Sequence, residues 1–219
     1  MYVKYYMTPS PVTIKSHISI EEARQLLENY HFRHLPVVNE FGILQGMITD
    51  RDLRSAFPSS VLGEEERENI LDRVQNIPVV DIMSLNTVVL TTLSTLDDAF
   101  LLFEKRTVGA LPVVNERNQV VGILSFNDVM KAWRSLFGLG EKGSVLVAIE
   151  VNESSRSLSK LVQVLEEIGV HFTRLIRTDG SGGGPAMIYL RINTFNVRAV
   201  YKAIDASGFT VHIPSGDGQ

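Results

Sequence analysis

The sequence predicts a mixed α+β fold in three parts: two copies of a small β-α-β-β-α unit, then a βαββαβ domain. Three observations carry this prediction. The hexapeptide Leu35-Pro36-Val37-Val38-Asn39-Glu40 returns as Leu111-Pro112-Val113-Val114-Asn115-Glu116, 76 positions on. Period-2 apolar runs alternate with i, i+3, i+4 stripes along the whole chain. Finally, Gly138-Leu139-Gly140-Glu141-Lys142-Gly143 separates the repeated part from a segment of different character.

The register of the repeat extends well beyond the hexapeptide. The same offset relates Met7 to Met83, Ala23 to Ala99, Glu28 to Glu104, Gly46 to Gly122 and Asp52 to Asp128. Residues 1–57 and 77–137 are therefore two copies of one unit, joined by a connector over 58–76. Each opens on a short strand, Val12–Ile14 or Val88–Leu90. A helix follows, capped by Ser19-Ile20-Glu21-Glu22 or Thr95-Leu96-Asp97-Asp98. Ala23, Leu26 and Leu27, like Ala99, Leu102 and Phe103, give these helices one buried face. Two strands come next, Leu35–Val38 and Leu44–Ile48 or Leu111–Val114 and Val120–Leu124, with Asn- and Gly-bearing turns between them. A second helix starts near Asp50 or Asn127. One such unit is too small to bury a good core alone, so the two should pack together. In the connector, Pro58-Ser59-Ser60 breaks the chain and Glu64–Val74 reads as a polar helix.

Residues 138–143 read as a hinge, and 144–213 as the last domain. Its elements are a strand Ser144–Val151, a helix Leu158–Ile168, strands His171–Arg177 and Met187–Ile192, a helix Val197–Ala206 and a strand Phe209–Ile213. Gly180–Gly184 reads as a loop. This order is the ferredoxin-like plan.

At 219 residues the chain exceeds the ~100–150 typical of one domain. A net charge of −4 argues against a dedicated nucleic-acid binder, yet leaves room for a local anion site. With no cysteine, disulfides, thiol catalysis and Cys-based metal sites are excluded. The N-terminus MYVKYYMTPSPVTIK lacks the apolar core of a secretory signal, and no run approaches ~18 apolar residues. A soluble cytoplasmic protein without membrane or nucleic-acid partners is expected. His31-x-x-His34 could share a helical face, but no third metal ligand lies nearby. No nucleophile–base arrangement stands out, so no catalytic residue is assigned.

The strongest chemical signal is Gly46-Met47-Ile48-Thr49-Asp50-Arg51-Asp52 and its copy Gly122-Ile123-Leu124-Ser125-Phe126-Asn127-Asp128. A strand ends, a hydroxyl sits at the turn, and an aspartate follows on the new helix. Helix-start N–H groups and a hydroxyl suit a phosphate oxygen. A carboxylate accepts from both hydroxyls of a ribose diol. The same pattern also resembles an ordinary capping box, in which these side chains satisfy only the backbone.

Two copies of strand, helix, LPVV, turn and G-h-h-[T/S]-x-x-D resemble paired CBS domains over residues 1–137. The resemblance implies two clefts between the copies and an adenosine ligand, AMP, ADP or ATP. It implies that Thr49, Arg51 and Asp52 hold ribose and phosphate while Val88, Val89, Leu90 and Ala110 line the base. Ser125, Asn127 and Asp128 would pair with Thr13, Ile14, Arg33 and His34. Gly109 and Ala110 stand where the first copy has Arg33 and His34, so the two sites should differ. Residues 144–213 resemble an ACT domain, although Arg156 stands near the glycine that amino-acid-binding members carry. CBS pair followed by ACT is similar to the acetoin-utilisation-type regulatory proteins. That likeness implies a non-catalytic, homodimeric regulator that passes a ligand signal through the hinge. Three rivals remain: a ligand-free interaction scaffold, a nucleotide hydrolase, for which no nucleophile, base or metal cluster stands out, and the same sensor taking S-adenosylmethionine or a dinucleotide.

Overall fold

The computed structural model describes residues 1–57, 63–151, 157–180 and 184–213. The chain divides into two compact units, residues 1–132 and 133 onward. The turn residues 153–156, residues 181–183 of the glycine-rich loop and Pro58-Ser59-Ser60, which figured in the sequence reading, lie outside the described residues.

The first unit holds β1 (Thr8–Pro9), α1 (Ile20–Tyr30), β2 (His34–Val38), β3 (Leu44–Thr49), α2 (Asp50–Ala56) and the connector helix α3 (Glu64–Val74). The second copy supplies β4 (Leu90–Thr91), α4 (Leu96–Arg106), β5 (Ala110–Val114), β6 (Val120–Ser125) and α5 (Phe126–Leu136). Both first helices start in true capping boxes. Ser19 Oγ accepts from Glu22 N at 3.2 Å while Glu22 accepts from Ser19 N at 2.8 Å, and Thr95 with Asp98 repeats the arrangement. Both end on a left-handed residue, His31 and Thr107. His31 therefore caps α1 while His34 opens β2, so the two share no helical face. The Asn39 and Asn115 side chains accept two backbone N–H bonds each and fix the β2–β3 and β5–β6 turns.

The copies exchange their leading segments. Thr8 pairs with Ile123 of β6, and the equivalent Ser84 bridges Met47 of β3. Leu96 N donates to Met1 O at 2.9 Å, and Ile20 N to Ile77 O at 2.8 Å. The glycines of the G-h-h motif permit this crossing. A Cβ at Gly46 would lie 2.8 Å from Ser84 O and 2.9 Å from Met83 Sδ, and one at Gly122 would strike Met7 Sδ. The expected strand Val12–Ile14 reduces to a single bridge between Ile14 and Val37, in which Ile14 N donates to Pro36 O at 3.0 Å and Val38 N to Ile14 O at 2.8 Å.

The second unit contains β7 (Ser144–Val151), α6 (Ser157–Glu167), β8 (Phe172–Thr178), β9 (Ala186–Asn193), α7 (Val197–Ala206) and β10 (Thr210–His212). The sheet is antiparallel throughout, in the order β10-β7-β9-β8. Val147, Ile149, Ile188 and Leu190 alternate onto the face covered by Leu161 and Leu165 of α6 and Val200 and Ile204 of α7, all almost fully buried. Fully burying a side chain of this size contributes about 1.5–3 kcal/mol. The glycine segment after α5 is held rather than bare. Arg174 pairs with Glu141 at 2.6 Å and donates to the Ser135 and Leu136 carbonyls.

Candidate functional site

The first unit forms an open cavity of about 640 Å³ lined by both copies. That volume is within the range of small-molecule sites. Its walls include Arg33, His34, Thr49, Arg51 and Asp52 from the first copy. The leading segment of the second copy supplies Ser84, Asn86, Thr87 and Val88, and its later elements Arg106, Gly109 and Ala110.

β3 ends at Thr49, and α2 begins in a capping box. Thr49 Oγ1 donates to Asp52 Oδ2 at 2.7 Å and Thr49 N donates to the same oxygen at 2.8 Å. Asp52 N returns a bond to Thr49 Oγ1 at 3.3 Å. Ser125 and Asp128 repeat the geometry at 2.6, 3.0 and 3.3 Å. The hydroxyls and these amides, expected to face a phosphate, are thus occupied by the caps. Each carboxylate nevertheless commits one oxygen and keeps the other outside the cap. Asp128 Oδ1 meets Lys131 Nζ at 3.4 Å, whereas Asp52 Oδ1 has no protein partner among the described residues.

Thr49, Arg51, Asp52, Val88 and Ala110 come together as expected for the first cleft, while Val89 and Leu90 are not among its lining residues. Leu90 pairs with Val113 and is 1% exposed, and Ile14, at 5%, lies in the core of the first copy. Their side chains hold the fold. Arg33 and His34 were expected beside Ser125, Asn127 and Asp128; they line the Asp52 cavity instead. The cause is strand register: β2 pairs with β3 so that His34 faces Thr49, and Asp50 N donates to Arg33 O at 3.1 Å. Ser125, by contrast, faces Ala110, while Asn127 and Thr13 are exposed.

His34 is half-buried, and its ring lies over Gly109, where a Cβ would come within 2.9 Å of Cε1. Burial, and after it the Arg33 charge, pushes the imidazole below its ordinary pKa; Asp52 and Asp50 oppose this. Arg54 also lines the cavity and pairs with Asp50 at 2.7 Å. Sequence reasoning missed Arg54, Arg106 and the 84–87 segment. The repeat offset could have pointed to the last, since residue 84 corresponds to Thr8, which crosses to the other copy. A further cavity of about 480 Å³, between α1, α2 and α3, has its arginines already paired: Arg24 with Glu21 and Glu28, Arg54 with Asp50.

A family model described as CBS domain matches residues 3–59 and 74–135, more than half of the chain. A CBS domain-containing protein of Dictyostelium discoideum is 34% identical over 128 residues, covering 58% of this chain and 88% of that protein. L-aspartate semialdehyde sulfurtransferase of Methanocaldococcus jannaschii is 30% identical over 136 residues, 62% of this chain but 23% of the enzyme's length. Among solved structures, the CBS domain pair of protein MJ0100 was crystallised with 5′-methylthioadenosine and S-adenosyl-L-methionine. It matches with a TM-score of 0.52 at 26% identity, over 62% of this chain and 98% of that one. CBSX2 in complex with AMP matches at 0.53 and 25%, over 62% and 98%. A Vibrio cholerae protein described for acetoin utilization, AcuB, reaches 0.53 at 24% identity over 65% and 96%, a likeness of fold alone.

Proposed function

This chain belongs to the CBS-domain family, and from that premise we propose that it is a non-catalytic sensor of an adenosine nucleotide. AMP, ADP or ATP occupies the cavity between the copies and alters their arrangement. The ligand must bind the two arrangements unequally for any signal to pass. The observation that carries this reading is Asp52: a half-buried carboxylate on the cavity wall, with one oxygen spent on a cap and the other uncommitted. A ribose diol offers that oxygen two donors. The solved complexes of related CBS pairs with AMP and with S-adenosyl-L-methionine support the same ligand class. In this proposal the ACT-like second unit receives the signal, and the protein works as a homodimer.

Calorimetric titration of the purified chain with AMP, ADP and ATP tests the proposal, alongside the Asp52→Asn and Asp52→Ala/Asp128→Ala variants. Asp52→Asn retains an acceptor for the Thr49 cap but loses the carboxylate. Saturable binding that Asp52→Asn weakens at unchanged thermal stability supports the sensor. Absence of binding in the wild type sinks it, leaving Asp52 and Asp128 as caps in an interaction scaffold.

A further inference from the structure

The inference rests on the Asp52 cavity being an adenosine site, and it names the class of adenosine compound. We propose that this cavity selects an adenosine carrying two or three phosphates over uncharged or sulfonium-bearing ones, and that Arg33, Arg51 and Arg106 set the choice.

Four arginines line the cavity. Arg54 is engaged by Asp50 at 2.7 Å, but Arg33, Arg51 and Arg106 make no ion pair among the described residues. Asp50 and Asp52 are the carboxylates of the wall. The first is matched by Arg54 and the second is half spent on its cap, so the local balance is positive in a chain of net charge −4. A guanidinium presents a planar fork that fits phosphate oxygens two at a time. Each added phosphate gains attraction here, whereas the sulfonium of S-adenosylmethionine meets repulsion.

Comparison of the copies assigns the trio a separate task. At the repeat offset Arg33, Arg51 and Arg106 correspond to Gly109, Asn127 and Tyr30, none of them cationic. Asp52 has its equal in Asp128, yet Asp128 Oδ1 is met by Lys131. The shared aspartate suits the part common to all adenosine ligands, and the unshared arginines suit the part in which they differ. One strong site per chain follows.

Titration of the full chain with adenosine, AMP, ADP, ATP and S-adenosylmethionine, at fixed ionic strength, tests this. Affinity should rise by about fivefold or more with each phosphate beyond the first, a gain of about 1 kcal/mol. ATP should bind with one molecule per chain, and S-adenosylmethionine more weakly than AMP. In Arg33→Gln/Arg51→Gln/Arg106→Gln the series should flatten to within about threefold while adenosine binding is retained. Arg117→Gln, an exposed turn arginine outside the cavity, controls for total charge. Should the triple variant lose its thermal transition, Arg106→Gln alone must still lower the ATP-to-adenosine ratio. A flat series in the wild type, S-adenosylmethionine binding as tightly as ATP, or an Arg117→Gln effect equal to the triple variant's overturns the inference and leaves the sensor standing. Failure of every adenosine compound to bind overturns both.

Discussion

His34 couples the cavity to pH. Its ring is held over Gly109, and burial keeps its pKa below the ordinary 6.5. A histidine depressed in this way takes up its proton later in the folded chain than in the unfolded one. The unfolded state then holds more protons as pH falls below about 6.5, so stability declines from there until the folded pKa is reached, and levels off. Arg33 acts with burial, while Asp50 and Asp52 limit the depression. Urea unfolding at pH 7.5 and 5.5 should therefore show a loss in the wild type that His34→Asn reduces. An equal loss in both would place the titration elsewhere. None of this was legible in the sequence, where His34 stood as half of a metal pair set aside and as a ligand-lining residue opposite Asp128. Its neighbour across the cavity is a glycine 75 positions on, brought there by tertiary packing that no local pattern encodes.

At the scale of elements, the four Ser/Thr-x-x-Asp/Glu patterns were all readable, and all four form boxes. What the sequence could not do is separate them by task. The Thr95 box stands on an exposed helix start, while the Thr49 box shares its carboxylate with the cavity wall. Thr95→Ala should accordingly lower stability by about 1 kcal/mol in urea unfolding while nucleotide affinity stays as it was. Weakened binding in Thr95→Ala would show that α4 also shapes the site. The crossing of leading segments escaped detection for a related reason. A 76-residue repeat looks the same whether Met7 packs on its own copy or on Gly122 of the other. Boundaries read from the repeat therefore gave each copy its own leading residues, and the pairing of Arg33 and His34 with Asp128 went astray when β2 and β3 joined in register.

The molecule as a whole holds two cores of different origin. In the first unit the core residues are those that recur at the repeat offset, such as Ala23 and Ala99 or Leu35 and Leu111. In the second they lie on β7, β9, α6 and α7, with Phe209 just before β10, and recur nowhere in the first. The change was visible in the sequence because strand-period and helix-period patterns restart at Ser144, directly after the glycines. Separate cores predict separate cooperative transitions on heating. A nucleotide bound in the first unit should raise only the transition of that unit, by about 2.7 kcal/mol at a hundredfold excess over Kd. Leu165→Ala, which removes a fully buried side chain of α6, should cost about 2–5 kcal/mol and lower only the other. Differential scanning calorimetry of the wild type and Leu165→Ala, each with and without ATP, makes the comparison. If a single transition moves as one under both perturbations, the units unfold together. A ligand signal would then travel by shared stability rather than by the rearrangement of one unit, and the sensor would have to be described as one cooperative body.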